Sequence, residues 1–394
     1  MASQPRFAPD FRLEINGSEI PSALRASITS VRYEDGKQAA DRVEVGIANV
    51  DLRWLQKHIR GLGFQPFPTG VAIGPLRADP GPDGLFDVDN SLKLALGYAA
   101  GPLEDVFDGE VTGVEASFPS GGVPGMTLVA HDKLHRLTQG SYARGFGPLP
   151  DVLIAAILSA ENLLIPALDP ALAVASTALA AVNYIFGGSG RKQKSQSDLD
   201  FLKEIAATYD AEFWVEGDVL YFSRFFFRDY SPSLTLKWGE SLLDFTPKVS
   251  TVGRVVAAGM KFTLREIPIS FLVSVFWDFD REVLGVSVVP GEAASAAKQI
   301  VGPTVTLVDQ PITSPADIAN SALAIASELR RKLNQRLTAT GSAVGDPRIR
   351  AGTIIRIDGL GPDFSGDYRV ASASHSIDTG GYRTTFQVYK EILP

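Results

Sequence analysis

QKSQSDLDFLKEIAATYDAEFWVEGDVLYF, residues 193–222, is the stretch of this chain that decides its fold. Ser197 is a favourable N-cap residue. Asp200, three positions later, matches the capping-box pattern and, with Asp198, complements the positive end of a helix dipole. The apolar positions that follow recur at helical spacing: Phe201, Leu202, Ile205, Ala206 and Tyr209. The spacing therefore predicts an amphipathic helix of about three turns.

Beyond this helix the period changes to that of a strand. Phe213 and Val215 fall on one face and Trp214 on the other, and Gly217-Asp218 supplies a two-residue hairpin turn before the returning strand. The hairpin should pack on the helix, where a buried Trp214 ring would be worth about 3–5 kcal/mol. A helix followed by a hairpin carries no chemistry of its own and is more often scaffold than site.

The same stretch carries a family pattern, formed by Asp198-Leu199-Asp200-Phe201-Leu202, Tyr209, Phe213-Trp214-Val215 and the turn Gly217-Asp218. In this pattern the chain resembles the late control gene D family of phage tail hubs. That family includes the hub portion of VgrG proteins in type VI secretion and the hubs of extracellular contractile injection systems. The resemblance extends to residues 128–137, and to residues 347–377, which are similar to the family's closing barrel and contain Gly352, Gly366, Tyr368 and His375.

Composition limits the possible functions. The 394 residues are 45% hydrophobic and 21% charged, enough to bury two or more cores. The absence of cysteine excludes disulfides, thiolate metal sites and cysteine nucleophiles. A net charge of -8 argues against a dedicated nucleic-acid binder, which needs clustered positive charge. The first residues lack the basic and apolar regions of an export signal, so we expect synthesis in the cytoplasm and then incorporation into a tail or injection particle.

Strand-like segments separated by turn residues dominate both ends of the chain. The sequence predicts a β-rich α+β fold in which an α/β domain of helix plus hairpin is inserted between two antiparallel, tube-protein-like β-barrels. The expected boundaries are 1–135 for the first barrel, 136–234 for the α/β domain and 235–394 for the second barrel. Ser314-Pro315-Ala316-Asp317 begins a predicted helix over 315–336.

Residues 167–190 form an unusual apolar insert. The segment from Ala171 to Gly190 contains no charged residue and is about as long as a helix that spans a bilayer. Basic residues follow it, as they do on the cytoplasmic side of membrane helices. Asp169-Pro170 interrupts the apolar run, and alanine contributes little to membrane insertion. Two interpretations stay open: a buried or oligomer-contacting helix, and membrane contact through 171–186.

A hairpin motif occurs twice. Phe107-Asp108-Gly109-Glu110 and Phe364-Ser365-Gly366-Asp367 each precede a strand, a Gly-Gly turn and a returning strand, which suggests two related barrels. The resemblance implies that such a chain forms a homotrimer, so that six barrels match the hexameric tail tube and a threefold face matches the trimeric spike. The spike is then expected to be a separate chain, alongside other baseplate proteins.

Candidate reactive groups are few, and each has a structural explanation. His131 and His135 are spaced for a shared metal on a helix, but no Glu follows the first histidine as in zinc proteases. Asp79, Asp83, Asp87 and Asp89 do not match a calcium loop, and Gly187 to Gly190 lacks the ending of a phosphate loop. No serine in a Gly-x-Ser-x-Gly nucleophile motif accompanies His375, so the sequence gives no sign of a hydrolase triad. We predict that His375 is a hydrogen-bonded histidine of a strand.

We therefore predict no catalytic, metal or cofactor site. The structural hub is the leading hypothesis, ahead of a membrane-contacting assembly protein and, less favoured, a tail-associated cell-wall hydrolase. A hydrolase would need paired carboxylates or a metal cluster.

Overall fold

A computed structural model of the chain describes residues 8–49, 84–185, 190–209, 211–224, 231–249, 255–263, 270–278, 283–290, 305–308, 333–334 and 336–391. Over these residues the protein is mostly antiparallel β-sheet with few helices, as the sequence predicts.

The described part of the first β region contains seven strands and one short helix: β1 (Pro9–Ile15), β2 (Ser18–Glu19), α1 (Ser22–Arg25), β3 (Ile28–Gly36), β4 (Arg42–Ala48), β5 (Ser91–Tyr98), β6 (Glu104–Ser117) and β7 (Gly125–Asp132). A mixed segment follows, which we call the helix-hairpin unit. It comprises a 3-10 helix (Lys133–Thr138), β8 (Tyr142–Gly147), α2 (Asp151–Glu161), β9 (Ile165–Leu168), α3 (Pro170–Ile185), β10 (Arg191–Gln196), α4 (Asp198–Tyr209), β11 (Ala211–Glu216) and β12 (Val219–Arg224).

The second β region contains the remaining described elements: β13 (Pro232–Lys237), β14 (Leu242–Val249), β15 (Val255–Thr263), β16 (Ser270–Asp278), β17 (Val283–Pro290), β18 (Val305–Val308), β19 (Leu337–Val344), β20 (Ile354–Asp358), α5 (Gly361–Phe364), β21 (Gly366–Asp378) and β22 (Gly381–Tyr389). The predicted helix over 315–336 lies outside the described residues, apart from helical Leu333 and Asn334 and the following Arg336.

One 13-stranded sheet joins the two β regions. Strand β21 is the connection, because its first residues pair with β20 and its later residues pair with β3. The pairing with β3 is antiparallel and runs from Ser372 opposite Gly36 to Ile377 opposite Val31. The first and last parts of the chain are thus hydrogen-bonded to each other. The described part of the chain also holds a four-stranded sheet in the order β17-β16-β15-β18.

Three clusters of buried apolar side chains form the core of the described chain. The first lies within the first β region around Val31, Tyr33 and Leu94, and Tyr382 of β22 also packs into it. The second lies in the helix-hairpin unit and the third in the second β region. The boundaries 1–135, 136–234 and 235–394, and the closure of each β region into a barrel, stay predictions.

Both copies of the repeated motif lead into hairpins, β6–β7 and β21–β22. Gly109 is required in the first copy, because a Cβ there would lie 2.2 Å from the carbonyl oxygen of His131. Gly366 in the second copy has a φ of +129°, which side-chain-bearing residues rarely adopt. The two glycines are thus kept for different reasons, a close approach and a backbone conformation.

The apolar insert contains the last two residues of β9 and all of α3. Asp169 caps the start of α3, since its Oδ1 accepts a hydrogen bond from Ala171 N at 2.8 Å. One face of α3 is buried through Leu172 and Leu179 in the second cluster. Three large side chains are exposed along α3: Val174, Tyr184 and Ile185. Among the described helices none is both long enough and apolar enough to cross a membrane.

Candidate functional site

The helix-hairpin unit folds as its sequence predicts. Ser197 caps α4, with its Oγ accepting from Asp200 N at 3.1 Å and donating to the Asp200 carboxylate at 2.8 Å. The predicted apolar stripe is buried along its whole length: Phe201, Leu202, Ile205, Ala206 and Tyr209. Phe213 of β11 packs in the same cluster. The hairpin therefore lies on the helix through Phe213.

Asp198 has a structural role that its motif position did not reveal. Its buried carboxylate accepts hydrogen bonds from Arg144 at 2.8 Å, from Gln193 at 2.9 Å and from Asn162 at 3.1 Å. These partners lie on β8, on β10 and just after α2. Asp198 thus joins the start of α4 to three other elements.

A second buried ion pair was missed by sequence reasoning. Arg191 donates two hydrogen bonds to Asp151, each 2.9 Å long, and Tyr209 donates to the same carboxylate at 2.8 Å. The sequence suggested Arg191 as the basic flank of a membrane segment, whereas its side chain is held inside the unit. No local pattern connects Arg191 with Asp151, because the two residues lie 40 positions apart in the sequence.

Trp214 lies on the face of β11 opposite Phe213. Its ring is only partly buried and stacks on Tyr221 of β12, with ring centroids 5.1 Å apart and an interplanar angle of 8°. Its Nε1 donates to Glu216 at 2.9 Å. The buried aromatic position on the helix side belongs to Phe213, and the ring of Trp214 faces a cleft.

The hairpin turn lies against the 3-10 helix and next to β6. Lys133 forms an ion pair with Asp218, and this ammonium lowers the pKa of the Asp218 carboxyl. Gly217 has a φ of +59°, and a Cβ at this position would lie 3.7 Å from Asp108 Oδ2. The two turn residues of the family pattern therefore make the turn and hold it against β6 and the 3-10 helix.

A cleft of about 460 Å³ lies where the helix-hairpin unit meets both β regions, and we call it the junction cleft. It is lined by residues around the β3–β4 turn, by Asp132, by β11, by residues 231–233 and by residues 350–354. Lys37 connects three parts here: its ammonium lies 2.7 Å from Glu212 and 2.9 Å from the Tyr389 hydroxyl. Gln38 also donates to the carbonyl of Ala211 at 3.2 Å.

His375 of β21 is hydrogen-bonded to the segment that leads into residues 350–354 of the junction cleft. His375 is fully buried, and its Nε2 donates to the carbonyl of Ile349 at 3.0 Å while Nδ1 faces the hydroxyls of Tyr382 and Thr384. Burial lowers the pKa of His375 to about 4. The histidine is therefore neutral near pH 7 and acts as a fixed hydrogen-bonding group, as predicted for a strand histidine.

Gly352 and Tyr368, two further residues of the family-like segment, make backbone and packing contacts within the second β region. Gly352 has a φ of +83°, and its carbonyl accepts from buried Arg369 at 2.8 Å. Tyr368 packs in the third cluster and donates to the carbonyl of Phe364 at 2.7 Å. Both residues stabilise the turn and strands that present residues 350–354 to the junction cleft.

The two candidate histidines do not share one helix. His131 lies on β7 and bonds to Thr112 Oγ1 at 2.7 Å, while His135 lies on the 3-10 helix and bonds to the carbonyl of Asp132 at 2.7 Å. Over the residues described, no group of three or more potential ligands could hold a metal ion. Asp79, Asp83 and residues 187–189 lie outside the described residues.

Comparisons with known proteins identify solved structures that share this fold. No family profile and no curated protein matches the sequence. A 43 kDa tail protein of prophage MuSo2 from Shewanella oneidensis superposes with a TM-score of 0.60 at 13% identity, over 98% of this chain and 99% of that chain. The chain has the fold of a phage tail protein.

Two further structures share this tail-protein fold. A tail protein from Neisseria meningitidis MC58 gives a TM-score of 0.59 at 11% identity, over 98% of this chain and 97% of that one. The second is an E. coli component of the type VI secretion system that is described as structurally similar to the T4 bacteriophage tail proteins gp27 and gp5. It superposes with a TM-score of 0.54 at 12% identity, over 97% of this chain and 78% of that one. At these identities the likeness establishes the fold alone.

Proposed function

We propose that this chain is a structural baseplate hub of a contractile tail or injection machine. In this role three copies form a ring that joins the hexameric inner tube to a trimeric spike supplied by a separate chain. The observation that carries the proposal is the tail-protein fold, which extends over 98% of this chain and 99% of the MuSo2 tail protein. The family pattern at Asp198 to Asp218 supports the same role.

The internal architecture fits a symmetry adaptor. Each β region contributes a hairpin of the repeated motif, and pairing of β3 with β21 places the two regions in one sheet. Two similar units per chain in a trimer would offer six similar contacts to a hexameric tube while keeping threefold symmetry for the spike. This is the physical reason for proposing two barrel domains and a trimer together.

The proposal gives the protein a mechanical rather than an enzymatic role. The polar side chains named in the family pattern are engaged in caps, ion pairs and turns, as Asp198, Asp200 and Asp218 show. Its partners would be the tube protein, the spike and other baseplate proteins. It would be made in the cytoplasm and then incorporated into the particle.

Oligomeric state tests the proposal. Size-exclusion chromatography with multi-angle light scattering should give three times the 42.2 kDa chain mass, alone or with the spike protein of the same particle. Electron microscopy of that complex should show a ring with six similar lobes. A stable monomer under both conditions would exclude the trimeric hub, and a trimer without six lobes would exclude the two-barrel arrangement.

A further inference from the structure

The junction cleft contains more carboxylates than its neighbouring cations can pair with. Asp35, Asp41 and Asp132 all line it, and Asp35 and Asp132 are buried. Asp41 and Asp132 are adjacent, since Asp132 N donates to the carbonyl of Asp41 at 3.1 Å. Three acids, from β3, from the position just before β4 and from the end of β7, thus converge on one cleft.

The cations that line this cleft, Arg350 and Lys37, form their ion pairs with carboxylates other than Asp41 and Asp132. The guanidinium of Arg350 lies 3.5 Å from Asp35 and donates to the hydroxyl of Tyr33 at 3.2 Å. Lys37 pairs with Glu212 at 2.7 Å. Within the described part of the chain, neither Asp41 nor Asp132 has an ion-pair partner.

Asp41 and Asp132 instead receive hydrogen bonds from neutral donors. Asp41 accepts from the Tyr33 hydroxyl at 2.8 Å and from Gly36 N at 3.3 Å. Asp132 accepts from Leu134 N at 3.0 Å and caps the 3-10 helix. Neutral donors stabilise a carboxylate less than a cation does, so two such groups side by side in an enclosed space favour retention of a proton.

We propose that Asp41 and Asp132 hold a proton between them at the junction, and that its release loosens the contact between the first β region and residues 350–353. That contact depends on Asp35, which accepts from Ala351 N at 2.8 Å, and on Arg350. A further negative charge in the cleft would compete with Asp35 for Arg350 and repel the neighbouring carboxylates.

The other charged groups around the pair do not remove this excess. Glu212 is paired with Lys37, Glu216 accepts from Trp214, and Lys133 is paired with Asp218. His375 stacks on Tyr33, with ring centroids 5.6 Å apart, and is neutral near pH 7. His131, next to Asp132 on β7, has its pKa lowered, first by burial and then by the charge of His135, so it adds little positive charge at neutral pH.

The direction of the pH effect follows from the pKa shifts. Burial raises the pKa of Asp132 to about 7, and burial with the charge of Asp35 raises that of Asp41 as well. The folded junction therefore keeps a proton that an opened or unfolded chain releases above about pH 4. Through Asp132, stability at the junction falls as the pH rises from about 4 to 7, by up to about tenfold in the equilibrium constant per pH unit, and the raised pKa of Asp41 acts in the same direction.

Asp132→Asn tests the proposal because the amide keeps the capping oxygen but cannot ionise. Unfolding midpoints of wild type and variant should converge near pH 4 and diverge up to pH 7.5, with the variant more stable at the higher pH. Hydrogen exchange at Gly36 and Ala351, whose amides donate to Asp41 and Asp35, should accelerate with pH in the wild type beyond the intrinsic rate, and less so in the variant.

Asp169→Asn is the matched control, because Asp169 is also buried and caps a helix, but in the helix-hairpin unit. It should show no such divergence between pH 4 and 7.5. Should Asp132→Asn fail to fold, Asp41→Asn provides the same measurement. Parallel wild-type and variant curves, or equal effects of the control, would overturn the proposal. The contacts lie within one chain, so this result is independent of whether the protein forms a trimeric hub.

Discussion

Phe213 and Trp214 are neighbours on β11 with different surroundings. Alternation along the strand predicted that they face opposite ways, and the hairpin turn and the stripe on α4 were equally visible in the sequence. Periodicity alone does not decide how deeply each ring is buried, because both are large aromatics. That depends on the cleft, which is built by residues from both ends of the chain.

Alanine substitutions at these two positions should separate the two environments. Phe213→Ala should lower the free energy of unfolding by about 3–5 kcal/mol, because the ring is buried in the second cluster. Trp214→Ala should cost less, about 1–2 kcal/mol, since it mainly loses the stack on Tyr221. Urea denaturation followed by circular dichroism measures both, and equal losses would contradict the assignment of faces.

At the scale of the element, some helices and strands can be predicted from local sequence patterns, whereas others depend on contacts between residues far apart in the chain. Helix α4 is fixed by its own cap and stripe, so the sequence predicts it well. Strands β8 and β10 were not predicted, because β10 reads RKQKSQ and has no alternating apolar positions. The two strands are held by pairing with each other and by Arg144 and Arg191, whose acid partners no local pattern identifies.

Asp198 is the element-scale test, and Asp200 is its control on the same helical turn. Asp198→Ala should lower the free energy of unfolding by about 2–4 kcal/mol, because it leaves the partly buried Arg144 and the buried Gln193 without their carboxylate. Asp200→Ala removes an exposed acid from the first turn and should cost about 0.5–1 kcal/mol. Similar losses for both variants would show that Asp198 acts only on the helix dipole.

At the scale of the whole molecule, the β-rich α+β class and the two β regions could be read from the sequence, but their connection could not. Pairing of β3 with β21 joins segments from opposite ends of the chain, and strand patterns do not specify such partners. The junction cleft could not be predicted from the sequence for the same reason, because its wall consists of the β3–β4 turn, β11 and residues 350–354, which lie far apart in the chain. The repeated hairpin indicates two related units without indicating that they share a sheet.

Lys37 offers a test of how strongly the three parts are coupled. Its ion pair with Glu212 is partly buried, with side-chain exposures of 21% and 18%, so it is screened less than a surface pair. A double-mutant cycle with Lys37→Met and Glu212→Gln should give a coupling of about 1–2 kcal/mol in urea denaturation. The pair Lys237 and Glu240, which is exposed and lies within one turn, is the control and should give no measurable coupling. If the Lys37 cycle were as weak as this control, the helix-hairpin unit would be held on the β regions by contacts such as that of Gln38 with Ala211 rather than by Lys37.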